Sequence, residues 1–462
     1  MSYIISGIAF ILILGAAVVI HEFGHFIVAK LLRIRVETFS VGFGKRLWGR
    51  RWGTTDYRLS LIPLGGYVKL GGDESNAGLE EGAGEEIPEH ERFDRRPRWQ
   101  KFLVGVAGPV MNILTAIAVP LGIAMTIGAP VMPPPVVKSV PAGSPAEAAG
   151  VRPGDRIVAI NGREESDWEK IRNDAMLSPG QPLALVVERE GQRVPLTITP
   201  RREVMDGEAF GVLGIVPDYG DVPIIVSSVV EGSPAEESGL QPGDQIVRLG
   251  GEEVRSAEQV IEYIGQRKSG PITFTVRRNG ATQDIVAGAE RRLPDGKLGI
   301  TPDEAPPPQR LGLADATSYA VARNVEMLRV TGLALGQVFS GQRSARDTVS
   351  GPIGIAVASK RAVEEGGLEG GLHLLGFLSL NLGIFNLLPI PVLDGGMIFM
   401  LFVEGFLALF NKKLSMTVRE RIQQVGFVFL LLLMGFVIIN DVTKFAPGLF
   451  RAKEKPAATQ PK

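Results

Sequence analysis

The sequence contains no cysteine and only four histidines among its 462 residues. Without cysteine the chain can form neither disulfides nor thiolate metal sites, so histidine, aspartate and glutamate remain as metal ligands. Lys and Arg number 49 and Asp and Glu number 50, which gives a formal net charge of -1. Such a balance lacks the basic field that nucleic-acid-binding proteins present, and the chain has no recognised nucleic-acid motif. We therefore expect no nucleic-acid partner.

Four long apolar blocks interrupt otherwise ordinary soluble-looking sequence. Each can cross most or all of a bilayer core of about 30 Å. The pattern predicts a polytopic α-helical membrane protein with four transmembrane helices. The blocks are residues 4–20, 102–128, 370–403 and 425–440.

The distribution of Lys and Arg predicts the orientation of these helices. Residues 32–100 and 411–424 are rich in both, which places them on the cytoplasmic side by the positive-inside rule. The long segment 129–369 and both termini then lie on the opposite side, although the tail "RAKEKPAATQPK" is basic as well.

The segment between the second and third blocks contains an internal repeat. "VKSVPAGSPAEAAGVRPGDRIVAING" (137–162) recurs as "VSSVVEGSPAEESGLQPGDQIVRLGG" (226–251), and the phrases "LGIVPD" (213–218) and "LGITPD" (298–303) follow the two copies. Each copy resembles a PDZ domain, a β-rich α+β fold. Because the Leu-Gly phrase follows each copy instead of preceding it, we expect two tandem, circularly permuted PDZ domains. They bind peptides by strand addition, or they serve only as spacers or size filters.

The first apolar block carries the motif HEFGH. Residues four apart lie on one face of a helix, so His21 and His25 can reach one metal ion, and Glu22 is placed to handle a proton of an attacking water. Two neutral imidazoles and a carboxylate that does not bind the metal are what zinc hydrolases use. Ionisable residues at bilayer depth are costly and mark function by default.

A catalytic zinc needs a third protein ligand. His90 lies in a soluble loop and His373 at the start of the third block, and neither is embedded as the first pair is. Asp394 is the only charge in the third block, in "NLLPIPVLDGG", and a cation there would stabilise its carboxylate. The alternative is an aspartate that caps or kinks the helix near Pro389 and Pro391.

Together, HEFGH, the late "NLLPIPVLDGG" and the PDZ-like repeat resemble the site-2 protease family of intramembrane zinc metalloproteases, in particular the bacterial regulator of sigma-E protease type with two PDZ domains. The resemblance implies zinc as cofactor, ligated by His21, His25 and Asp394, and Glu22 as the catalytic base. It also implies that Asn386 binds substrate. "PLGGYVKLGG" is similar to the family's membrane-re-entrant β-hairpin, whose expected substrate-binding residues are Gly65, Gly66, Tyr67, Val68 and Lys69.

These interpretations define the expected organisation of the chain. Glycines and prolines predict that the third transmembrane segment is a broken helix lining a cavity. The expected parts are a first transmembrane helix (1–31), a cytoplasmic loop (32–100) with the re-entrant hairpin (about 60–74) and an acidic flexible insert (73–91), a second transmembrane helix (101–128), two PDZ domains (129–220 and 221–305), a periplasmic amphipathic helix and connector (306–369), a third transmembrane segment (370–410), a cytoplasmic loop (411–424), a fourth transmembrane helix (425–445) and a periplasmic tail (446–462).

Two functions from different classes follow. The resemblance implies a protease of the bacterial inner membrane that cleaves single-span membrane proteins, namely a membrane anti-sigma factor after a first periplasmic cut, which activates the envelope stress response, and remnant signal peptides. The alternative is a non-proteolytic PDZ receptor or scaffold with a structural metal site. An intact Glu22 favours the enzyme, because a structural site has no use for a base that does not bind the metal.

Overall fold

The computed structural model forms two compact units, each described here by itself. A helical unit comprises Met1–Thr126, Val204–Ala209 and Leu311–Lys462, and a β-rich unit comprises Ile127–Glu203 and Phe210–Arg310. The structure describes residues 2–72, 87–164, 167–205, 208–220, 222–254, 256–267, 269–278, 280–288, 293, 296–304, 306, 308–412 and 414–445. The acidic insert up to residue 86 and the tail 446–462 lie outside them.

Long apolar helices build the helical unit. Within the described ranges, four helical stretches are long and apolar enough to cross a membrane, which confirms the predicted number of spans: Gly7–Leu31, Arg98–Thr126, Gly366–Asn386 and Thr417–Lys444. The helices are α1 (Ser2–Leu31), α2 (Arg98–Thr126), α7 (Leu313–Phe339), α8 (Ala345–Thr348), α9 (Pro352–Asn386), α10 (Asp394–Leu409) and α11 (Met416–Phe445).

The third apolar block is not one helix. α9 ends at Asn386, α10 begins at Asp394, and the residues between them form turns. Pro389 and Pro391 disfavour helix here, because proline lacks an N–H and restricts the residue before it. The expected transmembrane segment 370–410 is therefore two helices with a break between them, as the glycine and proline content predicted. α9 itself is kinked at Gly367, whose φ of 54° is not helical.

The expected amphipathic connector forms α7, which packs against α2. Pro120 lies inside α2 and cannot donate to the carbonyl of Ala116, one turn earlier. The Asn324 side chain of α7 donates to that carbonyl, with Nδ2 2.9 Å from the oxygen. A polar residue of the connector thus satisfies a backbone group that proline leaves without its helical donor.

A β-sheet follows α1 directly. Its strands β1 (Val36–Trp52) and β2 (Thr55–Leu70) are longer than the hairpin expected at residues 60–74, which is a correction. Residues 38–41 pair on one side with 66–69 and on the other with 56–59, so the two bent strands form a wider sheet. The outer half of β1, residues 43–52, is basic and exposed, and the sequence pattern does not reveal it as a strand, because a strand that is solvated on both faces lacks the apolar alternation of a half-buried one.

Two copies of one β-rich module build the second unit. Strand β10 pairs with β3 in the first copy and β16 pairs with β11 in the second, so each Leu-Gly strand belongs to the copy before it. This confirms the predicted circular permutation. The elements are β3 (Val137–Ser139), α3 (Pro145–Ala148), β4 (Arg156–Ile160), β5 (Arg163–Glu164), α4 (Trp168–Leu177), β6 (Leu183–Arg189), β7 (Gln192–Ile198), β8 (Arg201–Met205), β9 (Glu208–Val212), β10 (Val216–Pro217), β11 (Ile224–Val229), α5 (Pro234–Glu237), β12 (Gln245–Leu249), β13 (Glu252–Glu253), α6 (Ala257–Gln266), β14 (Ile272–Arg278), β15 (Ala281–Ala287) and β16 (Ile300–Asp303).

A buried carboxylate joins the two copies. Glu304, at the end of β16, accepts hydrogen bonds from the backbone N–H of Ala257 in the second copy and from the Lys138 ammonium group of the first. Its side chain is nearly inaccessible to solvent, so this ion pair is more strongly coupled than a surface pair. The contact fixes the first strand of one module against the first turn of helix α6 in the other.

The Pro-Gly-Asp turns hold each module together through a buried ion pair. In the first copy, Arg189 donates through Nε and one terminal nitrogen to both carboxylate oxygens of Asp155, at 2.7 Å each, and the Arg152 N–H donates as well. Arg278 and Asp244 repeat the arrangement in the second copy. Burial alone would raise the pKa of Asp155, but the Arg189 guanidinium and the Arg152 N–H outweigh it and hold the pKa below its usual value.

We expect Asp155→Asn to destabilise the first module by about 2 kcal/mol at neutral pH, because the guanidinium loses its charged partner. A carboxylate whose pKa is lowered in the folded state stabilises the fold at pH values above its unfolded pKa of about 4. This contribution is lost as the pH falls through the pKa of the folded state. Hydrogen exchange of the amides of β4 and β6 between pH 3 and pH 7 measures the effect. The second module is the internal control for the substitution at each pH, because its own Asp244–Arg278 pair is unchanged, and equal loosening of both modules by Asp155→Asn would contradict the assignment.

Candidate metal centre

Three potential ligand atoms converge in the helical unit. His21 and His25 project from one face of α1, and their Nε2 atoms lie 3.2 Å apart. Asp394 begins α10, and its Oδ2 lies 3.0 Å from Nε2 of His21 and 3.4 Å from Nε2 of His25. One ligand atom from each residue lies within 4.8 Å of the other two. The two motifs that the sequence sets far apart thus meet at one point.

Glycines allow α1 and α2 to approach closely at this point. A Cβ atom on Gly24, the small residue inside HEFGH, would lie 2.3 Å from the carbonyl oxygen of Ala107. A Cβ atom on Gly108 of α2 would lie 2.3 Å from Nε2 of His25 and 2.8 Å from Nε2 of His21. Any larger residue at either position would push the second helix away from the histidines.

Partners on α2 fix the two imidazole rings. Nδ1 of His25 lies 2.7 Å from the carbonyl oxygen of Val104, which can only accept, so Nδ1 carries the proton and Nε2 offers its lone pair to the centre. Nδ1 of His21 lies 3.3 Å from the side-chain amide of the fully buried Asn112. Oδ1 of Asn112 has no hydrogen-bond partner, and a half-turn of the amide places it to accept from Nδ1–H of His21. Such hydrogen bonds orient the histidine ligands of metal sites.

The residues present fit a zinc ion. Two Nε2 lone pairs face a carboxylate oxygen at separations close to a hydrogen bond, and Asp394 Oδ2 is buried without a hydrogen-bond partner. A cation between the three atoms would satisfy all of them at once, and two histidines with one carboxylate form a known ligand set of catalytic zinc.

The turn before α10 fixes Asp394. A Cβ atom on Gly395 would lie 2.2 Å from the carbonyl oxygen of Leu388, and one on Gly396 would lie 2.2 Å from that of Ile390. The two glycines therefore let the turn fold back over the start of the helix. Val392 has a φ of 84°, a conformation that costs a β-branched residue energy. The aspartate is thus held at the end of a tightly folded, strained segment.

Glu22 lies against the edge of the β-sheet. A Cβ atom on Gly66 would lie 3.6 Å from Cγ of Glu22 and 2.6 Å from the carbonyl oxygen of Ser40, so only glycine fits between strand and helix. The backbone of Val68 forms a hydrogen bond with the Glu22 carboxyl group. The sheet edge and the carboxylate beside the candidate centre are therefore in direct contact.

Other predicted substrate-binding residues lie in different surroundings. Tyr67 is largely buried and stacks on Phe43, and Lys69 forms an ion pair with Glu37, with 3.0 Å between Nζ and Oε2. Their side chains are thus engaged inside the sheet. Asn386 is half-buried at the C-terminal end of α9, before the turn that leads to Asp394.

The structure places the other two histidines away from the three-ligand cluster. His90 is exposed in a short 3₁₀ turn, Glu89–Glu91, and His373 lies in α9 near Arg323 of α7. Sequence reasoning missed Asn112 and Gly108, both on α2. Asn112 was detectable as a polar residue inside an apolar block.

The fold and site define a multi-pass membrane protein with a zinc-type site between its spans and a tandem of permuted PDZ modules. The chain matches peptidase family M50 over residues 9–433 and belongs to that family. It is therefore an intramembrane zinc metalloprotease, and the scaffold alternative is disfavoured.

Proteins with related sequences share nearly the full length of the chain. The chain is 32% identical to the Regulator of sigma-E protease RseP of Escherichia coli K12, covering 94% of this chain and 98% of that protein. It is 32% identical to the Regulator of sigma E protease of Haemophilus influenzae, covering 96% of this chain and 99% of that protein. The predicted family and the predicted zinc cofactor are thus confirmed.

Proposed function

We propose that His21, His25 and Asp394 hold the zinc ion of this protease and that Glu22 is its general base. The convergence of the three ligand atoms within 4.8 Å is the observation that carries the proposal. When bound, zinc polarises the scissile carbonyl and makes water a better nucleophile at neutral pH.

The residues of the chain then perform the proton transfers. The Glu22 carboxylate accepts a proton from the attacking water and returns it to the nitrogen of the leaving amine. Val104 and Asn112 hold the imidazole rings in the orientation that presents Nε2 to the metal. α2 contacts the two histidines at Gly108 and α10 contributes Asp394, so the reaction takes place between packed helices.

The substrate must be extended before it can be cut. A transmembrane helix keeps its peptide groups in internal hydrogen bonds, and any that are freed at membrane depth need other partners. The sheet edge at residues 66–70 lies beside Glu22, and strand addition there would satisfy an unwound substrate. In this proposal Gly65, Gly66, Tyr67, Val68 and Lys69 act through their backbone, while Asn386 helps to hold the substrate or to polarise the scissile carbonyl.

The sequence and the names of the related proteins support a proposed orientation and substrate class. The basic segments 32–100 and 411–424 favour a cytoplasmic position for the β-sheet and a periplasmic position for the PDZ tandem in a bacterial inner membrane. The names of the relatives refer to regulation of sigma-E. We accordingly propose a single-span anti-sigma factor, trimmed beforehand on its periplasmic side, as substrate, with remnant signal peptides as a second class. The remaining expected segment boundaries belong to the same proposal.

The proposal is tested with Asp394→Ala in the full-length protein reconstituted into lipid bilayers. We expect zinc content to fall from about one ion per chain to near zero and cleavage of a tagged single-span substrate to fall at least about 100-fold, because a catalytic zinc needs its third protein ligand. Asp315→Ala, which removes an exposed aspartate of α7, is the matched control. Full zinc content in Asp394→Ala would show that the metal is held elsewhere.

A further inference from the structure

The outer edge of the β-sheet exposes an unusual combination of tryptophan and arginine. Trp48 is 74% exposed and Trp52 is 80% exposed. Both lie in β1 with Arg50 between them, so the three alternate positions project from one face of the strand. Leu59 pairs with Trp48 across the sheet and is also exposed. Two indoles and a leucine on one open face thus expose a large apolar surface.

The pairing register places this edge at the level of the membrane. Trp48 pairs with Leu59, Leu59 with Val41, and Val41 with Gly66, which lies against Glu22 of α1. The row of paired residues that begins at Trp48 therefore ends beside Glu22, so Trp48 lies at about the same depth in the membrane as Glu22.

Distances along the elements locate Trp52 relative to the end of that span. From Glu22 to the last residue of α1, Leu31, the helix advances about 14 Å at 1.5 Å per residue. From Trp48 to Trp52 the strand advances about 13 Å at roughly 3.3 Å per residue. Because β1 begins just after α1 ends and residues 41 to 36 lead back to that end, Trp52 lies at the level where the first span leaves the membrane. Tryptophan prefers that interface.

The charge of the edge favours an anionic surface. Residues 42–54 contain four basic residues and no acidic one: Lys45, Arg46, Arg50 and Arg51. The acidic residue nearest along the chain, Asp56, is engaged with Arg46 and Arg58. Each Lys or Arg held near an anionic bilayer surface favours association by about fivefold.

We propose that this tryptophan-arginine edge, residues Trp48, Arg50, Trp52 and Leu59 with the adjoining Arg51, binds anionic phospholipids. Trp52 lies at the headgroup boundary, Trp48 and Leu59 insert below it among the acyl chains, and the guanidinium groups of Arg50 and Arg51 contact lipid phosphates. Because the same sheet presents its opposite edge to Glu22, the bound lipids set the depth of that edge in the bilayer. The inference concerns lipid binding and holds whatever the protease cleaves.

Brominated lipids test the proposal on the full-length protein in nanodiscs. Bromine on acyl chains quenches nearby indoles, so equal fractions of brominated phosphatidylglycerol or brominated phosphatidylcholine report which lipid surrounds the edge. The emission of Trp48 and Trp52 is obtained as the difference between the wild type and the Trp48→Phe/Trp52→Phe variant. We expect quenching by the anionic lipid to exceed quenching by the neutral one by at least about twofold.

A charge-removing variant separates headgroup recognition from simple immersion. Arg50→Gln/Arg51→Gln should bring the quenching ratio close to one, as should 1 M salt, because screening is nearly complete at that concentration. Arg193→Gln/Arg201→Gln, which removes two exposed strand arginines of the β-rich unit, should leave the ratio unchanged. Equal quenching by both lipids in the wild type would overturn the proposal. Absence of quenching by either lipid would also overturn it, because the edge would then lie outside the bilayer.

Discussion

The Glu22→Gln variant is expected to keep its zinc and lose its proteolytic activity. The glutamine has nearly the same shape as Glu22 and can still receive a hydrogen bond from the sheet edge, but it cannot accept a proton from water. General-base catalysis contributes about 10²- to 10⁴-fold, so cleavage of a tagged single-span substrate should fall by that factor. Zinc content should remain near one ion per chain, because Glu22 contributes no atom to the three-ligand cluster.

A matched control excludes a general effect of removing a carboxylate. Glu231→Gln alters an exposed loop of the β-rich unit and should cleave at the wild-type rate. If Glu22→Gln cleaves normally while retaining zinc, then another group accepts the proton and the proposed mechanism is wrong. If it loses zinc, Glu22 is a ligand and the cluster of three atoms is incomplete.

The sequence predicted those residues of the site whose ionisable side chains lie in apolar segments, because the free-energy cost of such side chains is apparent without a structure. His21, Glu22 and His25 lie in an apolar block with helical spacing, and Asp394 is the only charge in another. Ionisable residues at membrane depth cost free energy and therefore indicate a function. The permutation of the two modules was also predictable, because a Leu-Gly phrase follows each copy instead of preceding it.

Other features depend on contacts between distant segments and could not be predicted in this way. Gly108 is one of 57 glycines, and only the distance to His25 distinguishes it from the rest. Asn112 was visible as a polar residue in an apolar block, but nothing in its neighbourhood points to His21. The outer half of β1, residues 43–52, was hidden because Trp48, Trp52 and their neighbours are exposed, whereas sequence patterns detect strands by their buried face.

The sequence also did not predict the contact that a buried aspartate near the C-terminal end of α11 makes with another helix. Asp441 is fully buried, and its two carboxylate oxygens accept hydrogen bonds from the backbone N–H groups of Gly351, Ile353 and Gly354, at 2.8, 2.8 and 3.1 Å. These donors belong to the first turn of α9, where N–H groups have no partner within the helix. The segment "SGPIGIA" (350–356) thus contains the N-terminus of a helix that is capped by another span.

This cap gives the second large expected effect. Asp441→Ala leaves three N–H groups without acceptors, two of them in the buried residues Gly351 and Gly354, and hydrogen bonds to a charged group contribute about 1.5–3 kcal/mol each, so the start of α9 should lose at least about 3 kcal/mol of stability. Since 1.4 kcal/mol is about tenfold, hydrogen exchange of the amides of Gly351, Ile353 and Gly354 should accelerate by about 100-fold or more. Asp441→Asn should give a smaller acceleration, because its amide retains one acceptor oxygen. Glu420→Ala, an exposed position on the same helix, should have no effect, and unchanged exchange in Asp441→Ala would show that the cap does not hold α9.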